Sequence, residues 1–146
     1  MPHTATTLRT EAALSSFLAA AVARLSRRLR QERGTELAAN QLAALGTLRR
    51  QGPLTLGALA AKERVQPPSM TRTVNCLSDL GLLRREAHPT DGRQVMLHLS
   101  ETGERILAAE RRRRDAWLSQ RLRELKPSER DVLRAAAVIL QRLADA

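Results

Sequence analysis

Apolar residues near the start of the chain recur every three or four positions, at Leu14, Leu18, Val22, Leu25 and Leu29. This spacing is typical of one face of an α-helix. We predict a helix from about Thr10, its N-cap, to Arg33, with Gly34 as a left-handed C-cap. An alternative interpretation is a secretory signal peptide, because Arg9 precedes an apolar stretch that ends at Ala23. The helical pattern runs past that point, which favours a helix in a cytoplasmic protein.

Three shorter helices are predicted next, over about residues 39–51, 56–64 and 67–80. The first ends at Gly52, and Thr55 is placed to cap the second with its hydroxyl. Pro67 and Pro68 begin the third, where a missing backbone N–H costs nothing, and Gly81 ends it. Because a short turn joins the second and third of these helices, the pair is predicted to form a helix-turn-helix.

Two short runs typical of β-strands follow, over residues 82–87 and 94–99. In the second run Val95, Leu97 and Leu99 occupy alternate positions, so we expect all three on one buried face. Asp91 and Gly92 between the runs supply the residues that a tight turn requires. Helix, turn, helix and hairpin in this order predict a winged helix-turn-helix.

Two further helices complete the chain. One runs from Glu101, capped by Ser100, to about Leu125, and the last is predicted to begin with Ser128 as its cap. The fold class is mainly α with a small β-hairpin wing, in a single domain over residues 1–146. We expect residues 35–100 to be the DNA-binding lobe and residues 8–33 and 101–146 to be dimerisation helices. Their apolar faces need a partner, and a second copy of the chain is the simplest one.

Composition narrows the class of partner. The chain carries 25 basic and 15 acidic side chains, a net charge of +10, which indicates an anionic partner. Its only aromatics are Phe17 and Trp117, too few for base stacking on single strands, so duplex DNA is favoured. Residues 53–100 carry six basic against four acidic side chains, so charge alone does not locate the DNA contacts. No apolar run approaches the roughly 18 residues of a membrane span, and no membrane partner is expected.

A series of motifs occurs in order along the middle of the chain: Leu59-Ala60, Pro68 to Val74, Leu77, Gly81-Leu82, Arg85, Asp91-Gly92-Arg93 and Leu99 to Gly103. This series resembles the MarR family of bacterial transcription regulators, and the resemblance covers essentially the whole chain. Its most specific part is the Asp-x-Arg of the wing followed by a Leu-Ser pair and a glycine. Ser100 replaces the family's usual threonine, which leaves helix capping intact.

The third short helix is the predicted recognition helix. Met70, Val74 and Leu77 share its core-facing side, since they lie at i, i+4 and i+7. Arg72 lies on another side, in the half of the helix that reads bases, and we expect it to contact guanine. The alternative is a solvated surface arginine. The other helix residues expected to contact DNA, Asn75 being the weaker candidate, are Pro68, Ser69, Thr71, Thr73 and Asn75.

The predicted wing contributes further DNA contacts. Arg93 at its tip is expected to enter the minor groove, with Asp91 orienting the guanidinium or capping its own turn. Arg84 and Arg85 are candidate phosphate contacts, although strand alternation means that both cannot point at DNA.

The resemblance also implies a regulatory pocket, without identifying its ligand, which we expect to be a small anionic or aromatic effector. Candidate lining residues are Phe17, Arg111, Arg114 and Trp117, although an aromatic at either position is more often plain core. The two arginines interrupt an apolar stripe, so they either pair with acids of a partner chain or line an anion-binding cavity. Cys76 on the recognition helix offers thiol oxidation as an alternative signal.

We therefore predict a homodimeric, sequence-specific DNA-binding transcription regulator, with repression as the expected outcome. Non-specific architectural DNA binding, or a winged helix used for protein contacts, are the alternatives. An enzyme is not expected, because His3, His88 and His98 lie in a tail, a loop and a strand without a catalytic partner at helical spacing. No cofactor or metal is expected.

Overall fold

The computed structural model describes residues 8–146, so His3 lies outside the described residues. The chain divides into two compact units. The head unit is Gly34–Arg112, and the helical unit comprises residues 8–33 together with Arg113–Ala146. No described helix is both long enough and apolar enough to cross a membrane.

Six helices and three strands make up the described residues. In chain order they are α1 (Glu11–Arg30), α2 (Ala39–Gln51), β1 (Leu54–Thr55), α3 (Leu56–Glu63), α4 (Pro67–Asp79), β2 (Leu83–Ala87), β3 (Val95–Leu99), α5 (Glu101–Arg123) and α6 (Pro127–Ala144). The predicted fold class, mainly α with a small wing and a helix-turn-helix formed by α3 and α4, is confirmed.

Helix α1 begins as expected and ends earlier than expected. The Thr10 hydroxyl accepts a hydrogen bond from the backbone N–H of Ala13 at 3.1 Å, which is the predicted N-cap. The helix ends at Arg30 with Gln31 still in the right-handed region, so the prediction that Gly34 is a left-handed C-cap is wrong. The N–H of Gly34 instead donates to the Glu110 carboxylate at 3.0 Å, within the head unit.

The core of the head unit collects one apolar side chain from nearly every element. Its largest fully buried members are Leu45 of α2, Leu59 of α3, Val74 and Leu77 of α4, and Leu97 of β3. Met70 is also buried, so the predicted core face of the recognition helix α4 is confirmed. The other faces of α4 are thereby left for contacts outside the core.

The sheet has three antiparallel strands in the order β1-β3-β2, one more than the predicted hairpin. Strand β1 was missed because two residues are too few to show a period of two. Its partners on β3 are Leu97 and Met96, so β1 does not reach Val95. Val95 is 43% exposed, and the prediction that it shares the buried face of Leu97 is wrong.

Helix α5 begins in close contact with the end of the recognition helix. The Ser100 hydroxyl donates to the Gly81 carbonyl at 2.6 Å and accepts from the Gly103 N–H at 3.0 Å, as a capping residue does. The Ser100 N–H donates to the Leu82 carbonyl at 3.1 Å. A Cβ on Gly103 would lie 2.2 Å from that carbonyl oxygen and 2.7 Å from Leu99 Cδ1. Only glycine therefore allows this approach.

Helix α6 starts two residues before the predicted position. Lys126 is the N-cap and Pro127 the first helical residue, so the prediction that Ser128 caps the helix is wrong. Pro127 has the φ that a first helical residue needs, and the Glu129 carboxylate accepts from the Lys126 N–H at 2.8 Å. The Arg130 guanidinium donates to the Leu122 carbonyl in the last turn of α5 at 3.3 Å and to the Leu125 carbonyl just beyond it at 2.8 Å, and so caps the end of α5.

Replacing Gly103 with alanine is expected to destabilise the protein. The added methyl group would overlap a backbone carbonyl, which cannot move as a flexible side chain can, and the expected loss is about 1–3 kcal/mol. Gly46→Ala is the matched control, because its Cβ would meet only the end of the Arg50 side chain, at 3.6 Å. That control should gain up to about 1 kcal/mol from helix propensity. Denaturant unfolding measures both, and equal stability changes in the two variants would contradict the close approach.

Candidate nucleic-acid interface

The recognition helix presents a mixed polar surface outside the core. Pro67 and Pro68 occupy its first two positions, and Thr71, Arg72 and Asn75 are exposed. These three side chains lie on the faces that the buried apolar row leaves open. They are therefore available to a molecule that approaches α4 from solvent.

Two hydroxyls of α4 are bound within the head unit. Thr71 Oγ1 donates to the Pro67 carbonyl at 3.0 Å, and Thr73 Oγ1 donates to the Ser69 carbonyl at 3.1 Å. Thr73 also accepts from the amide of Asn40 in α2 at 3.3 Å, and both Ser69 and Thr73 are half-buried. Thr73 therefore faces α2, whereas Thr71 remains exposed.

Arg72 is exposed and only weakly held. Its Nη2 lies 3.4 Å from Ser69 Oγ, a long hydrogen bond to a neutral group one turn earlier. Among the described residues, no carboxylate lies within ion-pair distance of Arg72. Because its guanidinium is not neutralised by an acid, it is available to an external acceptor.

The turn of the wing is organised by one carboxylate. Asp91 Oδ1 accepts from the backbone N–H of Arg93 at 3.1 Å and from Arg93 Nε at 3.2 Å, and Oδ2 accepts from Gln94 Nε2 at 3.2 Å. The pKa of Asp91 is held below its ordinary value, first by the backbone N–H of Arg93 and then by its guanidinium. Arg93 is nevertheless 92% exposed, so its outer N–H groups face solvent.

His88, directly after the end of β2, supports the same turn, a role that the sequence analysis missed. Its Nδ1 accepts from the backbone N–H of Asp91 at 3.0 Å and from that of Thr90 at 3.2 Å. A histidine three residues before the turn aspartate is the signal that could have indicated it. The ring nitrogen satisfies amides that the turn leaves without strand partners.

Arg84 and Arg85 point to opposite sides of the sheet, as neighbouring strand residues must. Arg84 pairs with Glu86, whose other oxygen lies 3.1 Å from His98 Nε2. Arg85 donates from Nη2 to Asn75 Oδ1 on the recognition helix. Only Arg85 is therefore linked to α4.

A cleft of about 510 Å³ lies between the start of α3, the recognition helix and the wing. The residues that line it are Thr55, Leu56, Gly57, Thr71, Val74, Asn75, Arg85, Arg93, Gln94, Val95 and Leu97. The cleft brings together four candidate DNA-binding residues, Thr71, Asn75, Arg85 and Arg93. The remaining candidates, Pro68, Ser69, Arg72, Thr73 and Arg84, lie outside it, and Asp91 reaches it only through Arg93 and Gln94.

The four candidate effector residues have different surroundings. Phe17 is half exposed, whereas the Trp117 ring is covered by the guanidinium groups of Arg28, 4.5 Å from its centroid, and Arg121, at 5.8 Å. Arg114 lies 3.2 Å from the carboxylate of its neighbour Asp115, and Arg111 is half-buried. The effector pocket stays a prediction.

Cys76 is an exposed free thiol whose sulfur accepts from Gln41 Nε2 at 3.2 Å. Its oxidation as a signal stays a prediction. The residues described, 8–146, contain no cluster of three or more side chains suited to hold a metal ion.

The wing carboxylate gives a pH prediction. Because the pKa of Asp91 is lowered on folding, its contribution to stability is present above about pH 4 and is lost as the pH falls through the lowered pKa. We expect NMR titration of Asp91 to show this shift. Arg93→Ala should reverse it only in part, since the backbone N–H is retained, and Arg112→Ala should leave it unchanged. An Asp91 that titrates at its ordinary value would contradict the wing geometry.

Comparison with known proteins identifies the family. The family model of the MarR family matches residues 37–95. A curated HTH-type transcriptional regulator of Mycobacterium bovis is 48% identical over 139 residues, which cover 94% of this chain and 97% of that relative. Relatives and family are transcriptional regulators, not enzymes.

Solved structures share the fold. A transcriptional regulator from Pseudomonas aeruginosa has a TM-score of 0.82 at 34% identity, covering 91% of this chain and 94% of that chain. A MarR family protein from Bacillus stearothermophilus has a TM-score of 0.81 at 27% identity, covering 94% and 97%. Streptococcus pneumoniae FabT, solved in complex with DNA, has a TM-score of 0.69 at 18% identity, covering 90% and 95%, and shows the fold alone. This chain belongs to the MarR family of helix-turn-helix transcriptional regulators.

Proposed function

We propose that the protein is a sequence-specific repressor that binds duplex DNA in the cytoplasm as a homodimer. Two copies of α4 would enter successive major grooves of a pseudo-palindromic operator, with half-sites about one helical turn apart. The observation that carries this proposal is the pair of exposed arginines on the two reading elements, Arg72 on α4 and Arg93 on the wing. The dimer bound to its operator would occlude a promoter.

Arg72 is suited to read a base directly. Its guanidinium has no carboxylate partner among the described residues, and it lies in the first half of the recognition helix. An arginine there can donate two hydrogen bonds to O6 and N7 of guanine, which discriminates against other bases by about 1–3 kcal/mol. Thr71 on the same exposed surface would contact the backbone or a thymine methyl group.

Arg93 is suited to a narrow minor groove. Such grooves concentrate negative potential, and they attract an arginine without requiring a specific base contact. The Asp91 carboxylate holds the Nε side of the Arg93 guanidinium and leaves the rest exposed. Because the turn is also restrained by His88, the arginine side chain loses less conformational freedom on binding than it would on a free loop.

The modest charge of the head favours binding by two copies. The head unit carries eleven basic against eight acidic side chains, a net charge of +3. DNA affinity at physiological salt depends strongly on the number of phosphates neutralised. Two heads on one operator double that number. FabT, which shares this fold and was solved in complex with DNA, supports the proposal of a DNA-binding surface on such a scaffold.

The helical unit supplies the surface for the second copy. Neither α1 nor α6 has a buried residue, although both are rich in apolar side chains. Val132, Ile139 and Leu143 share one side of α6 at helical spacing, and each is at least half exposed. An apolar surface of this kind is typical of an interface between chains. A second copy of the chain would bury it by packing the same surface against it about a two-fold axis.

A small anionic or aromatic effector would release the repressor from DNA. Phe17, Arg111, Arg114 and Trp117 are the proposed lining, on the resemblance to the family and on the apolar stripe that Arg111 and Arg114 interrupt. Non-specific architectural DNA binding is the competing function. Measuring the affinity for a selected palindrome and for random duplex distinguishes it from sequence-specific repression.

Arg72→Ala is expected to remove sequence discrimination at one base pair of each half-site. Binding to a selected palindrome should weaken by about 1–3 kcal/mol per lost base contact, while binding to random duplex changes little. Fluorescence anisotropy at two salt concentrations measures both affinities. Arg105→Ala is the control, because Arg105 is exposed on α5 and contacts only Thr102. Equal affinity of the wild-type protein for palindrome and random duplex would overturn the specific-repressor proposal.

Ile139→Asp is expected to convert the dimer into a monomer at micromolar concentration. A buried, unpaired carboxylate at the centre of an apolar interface is strongly unfavourable. Sedimentation analysis measures the oligomeric state. Leu80→Asp, at an exposed apolar position outside α1 and α6, should leave the dimer intact. A wild-type protein that sediments as a monomer would refute the dimer.

A further inference from the structure

Helix α3 ends at a residue whose backbone is in the left-handed region. Arg64, with φ 55° and ψ 43°, is the one non-glycine among the described residues with a positive φ. Its N–H donates to the Ala61 carbonyl at 3.2 Å, and the Val65 N–H donates to the Ala60 carbonyl at 3.0 Å. These two hydrogen bonds form a Schellman motif, which requires a left-handed residue directly after the helix.

The end of the recognition helix α4 shows the same motif with the residue type that favours it. There the Gly81 N–H donates to the Ser78 carbonyl at 2.9 Å, and Gly81 has φ 73°. The Leu82 N–H donates to the Leu77 carbonyl at 2.9 Å. Glycine adopts this region freely, whereas the Cβ of any other residue is crowded there. Arg64 therefore occupies a backbone position at which glycine would be the more stable residue.

The Arg64 side chain is exposed, and among residues 8–146 it has neither a hydrogen bond nor an ion pair. The carboxylate of its neighbour Glu63 lies toward α2, where it accepts from the hydroxyl of Thr47, a residue that is only 3% exposed. Lys62, on the other side of Glu63, is exposed. The end of α3 therefore presents two cations to solvent and directs the acid between them toward the core.

Arg64 lies at the junction of the two helices of the helix-turn-helix. It follows α3 directly, and Pro67, the first residue of α4, comes three positions later. In this motif the first helix crosses the sugar-phosphate backbone, while the N-terminal residues of the second contact base edges. A guanidinium at the junction is therefore placed beside the backbone that borders the groove, and its N–H donors are suited to phosphate oxygens.

We propose that Arg64 binds a DNA phosphate from the turn of the helix-turn-helix, and that this contact is the role of an arginine at a left-handed position. The proposal rests on the proposed function, because it requires α4 to lie in a major groove. A strained residue without a partner inside the protein is typical of a functional position. The contact would fix the register of α4 on the duplex without reading a base.

Three substitutions at this position separate the charge from the backbone strain. Arg64→Gly removes both. Arg64→Asn removes the charge and introduces a side chain that tolerates the left-handed region, and Arg64→Lys keeps both charge and strain. Fluorescence anisotropy measures the affinity of the full chain for a selected palindrome and for random duplex over a series of salt concentrations. Urea unfolding measures the stability of each variant.

Arg64→Gly and Arg64→Asn should lose affinity equally for the palindrome and for random duplex, because a phosphate contact carries no sequence information. The slope of log affinity against log salt concentration should fall by about one for each bound copy. Between about 50 and 200 mM salt, the advantage of the wild-type protein should therefore shrink about three- to fourfold per lost contact. Arg64→Lys should retain most of the affinity and the full slope. Arg64→Gly should unfold at a urea concentration no lower than the wild-type protein does.

Arg105→Ala is the matched control, because Arg105 is an exposed arginine of the head unit that contacts only Thr102. It should leave the affinity and the salt dependence unchanged. Unchanged affinity in both Arg64→Gly and Arg64→Asn would overturn the proposal. A loss in Arg64→Gly alone would also overturn it, because the turn would then need a rigid residue rather than a charge. Reduced stability with full affinity would show instead that the cation acts on the dipole of α3.

The same measurements separate this proposal from the proposed function. Equal affinity of the wild-type protein for palindrome and random duplex would refute sequence-specific repression. In that case a uniform loss in Arg64→Gly and Arg64→Asn, with the lower salt slope, would still support the phosphate contact. A wild-type protein that discriminates between the duplexes, together with variants that bind as it does, would refute the phosphate contact alone.

Discussion

The close approach of Gly103 to the Leu82 carbonyl is the contact on which the geometry of the head depends. At this point the recognition helix has just ended, the sheet is about to begin and α5 has just started. The Ser100 hydroxyl and N–H bind the carbonyls of Gly81 and Leu82, so α5 meets the backbone of this turn directly. A side chain at position 103 would separate the two segments. The motifs Gly81-Leu82 and Leu99 to Gly103, distant in sequence, are therefore two sides of one contact.

Apolar periodicity together with capping residues, prolines and glycines predicted every helix and the order of the fold, because burial of one face imposes the spacing and these residues mark where a helix begins and ends. What this pattern could not predict was decided by local backbone geometry and by contacts between segments that are distant in sequence. Gly34 is not a C-cap because α1 has already ended at Arg30, with Gln31 in the right-handed region, and the Gly34 N–H donates to Glu110, 76 positions later in the chain. Ser128 is not a cap because Pro127 already fills the first helical position. Strand β1 exists only through its pairing with β3, a long-range contact that a two-residue pattern cannot reveal.

For the candidate interface, the sequence indicated which residue types could contact DNA but not which of them are already bound within the protein. Arginines look alike in a sequence, yet Arg72 has no acid beside it among the described residues, Arg84 is paired with Glu86 and Arg85 is bound to Asn75. Threonines differ in the same way, since Thr73 is held by Asn40 of α2 and Thr71 is not. These distinctions depend on tertiary contacts, and they divide the arginines of one basic motif into a side chain without an acid partner and side chains already bound within the protein.

The two guanidinium groups over Trp117 have a practical consequence. Trp117 is the only tryptophan, and the chain has no tyrosine, so near-ultraviolet emission originates in the helical unit alone. Arg28 also pairs with Glu32, and the ring is therefore in contact with a charge network whose rearrangement alters its surroundings. The head unit contains no tryptophan, tyrosine or phenylalanine, so it contributes nothing to this emission. The protein thus carries an intrinsic probe confined to one of its two units.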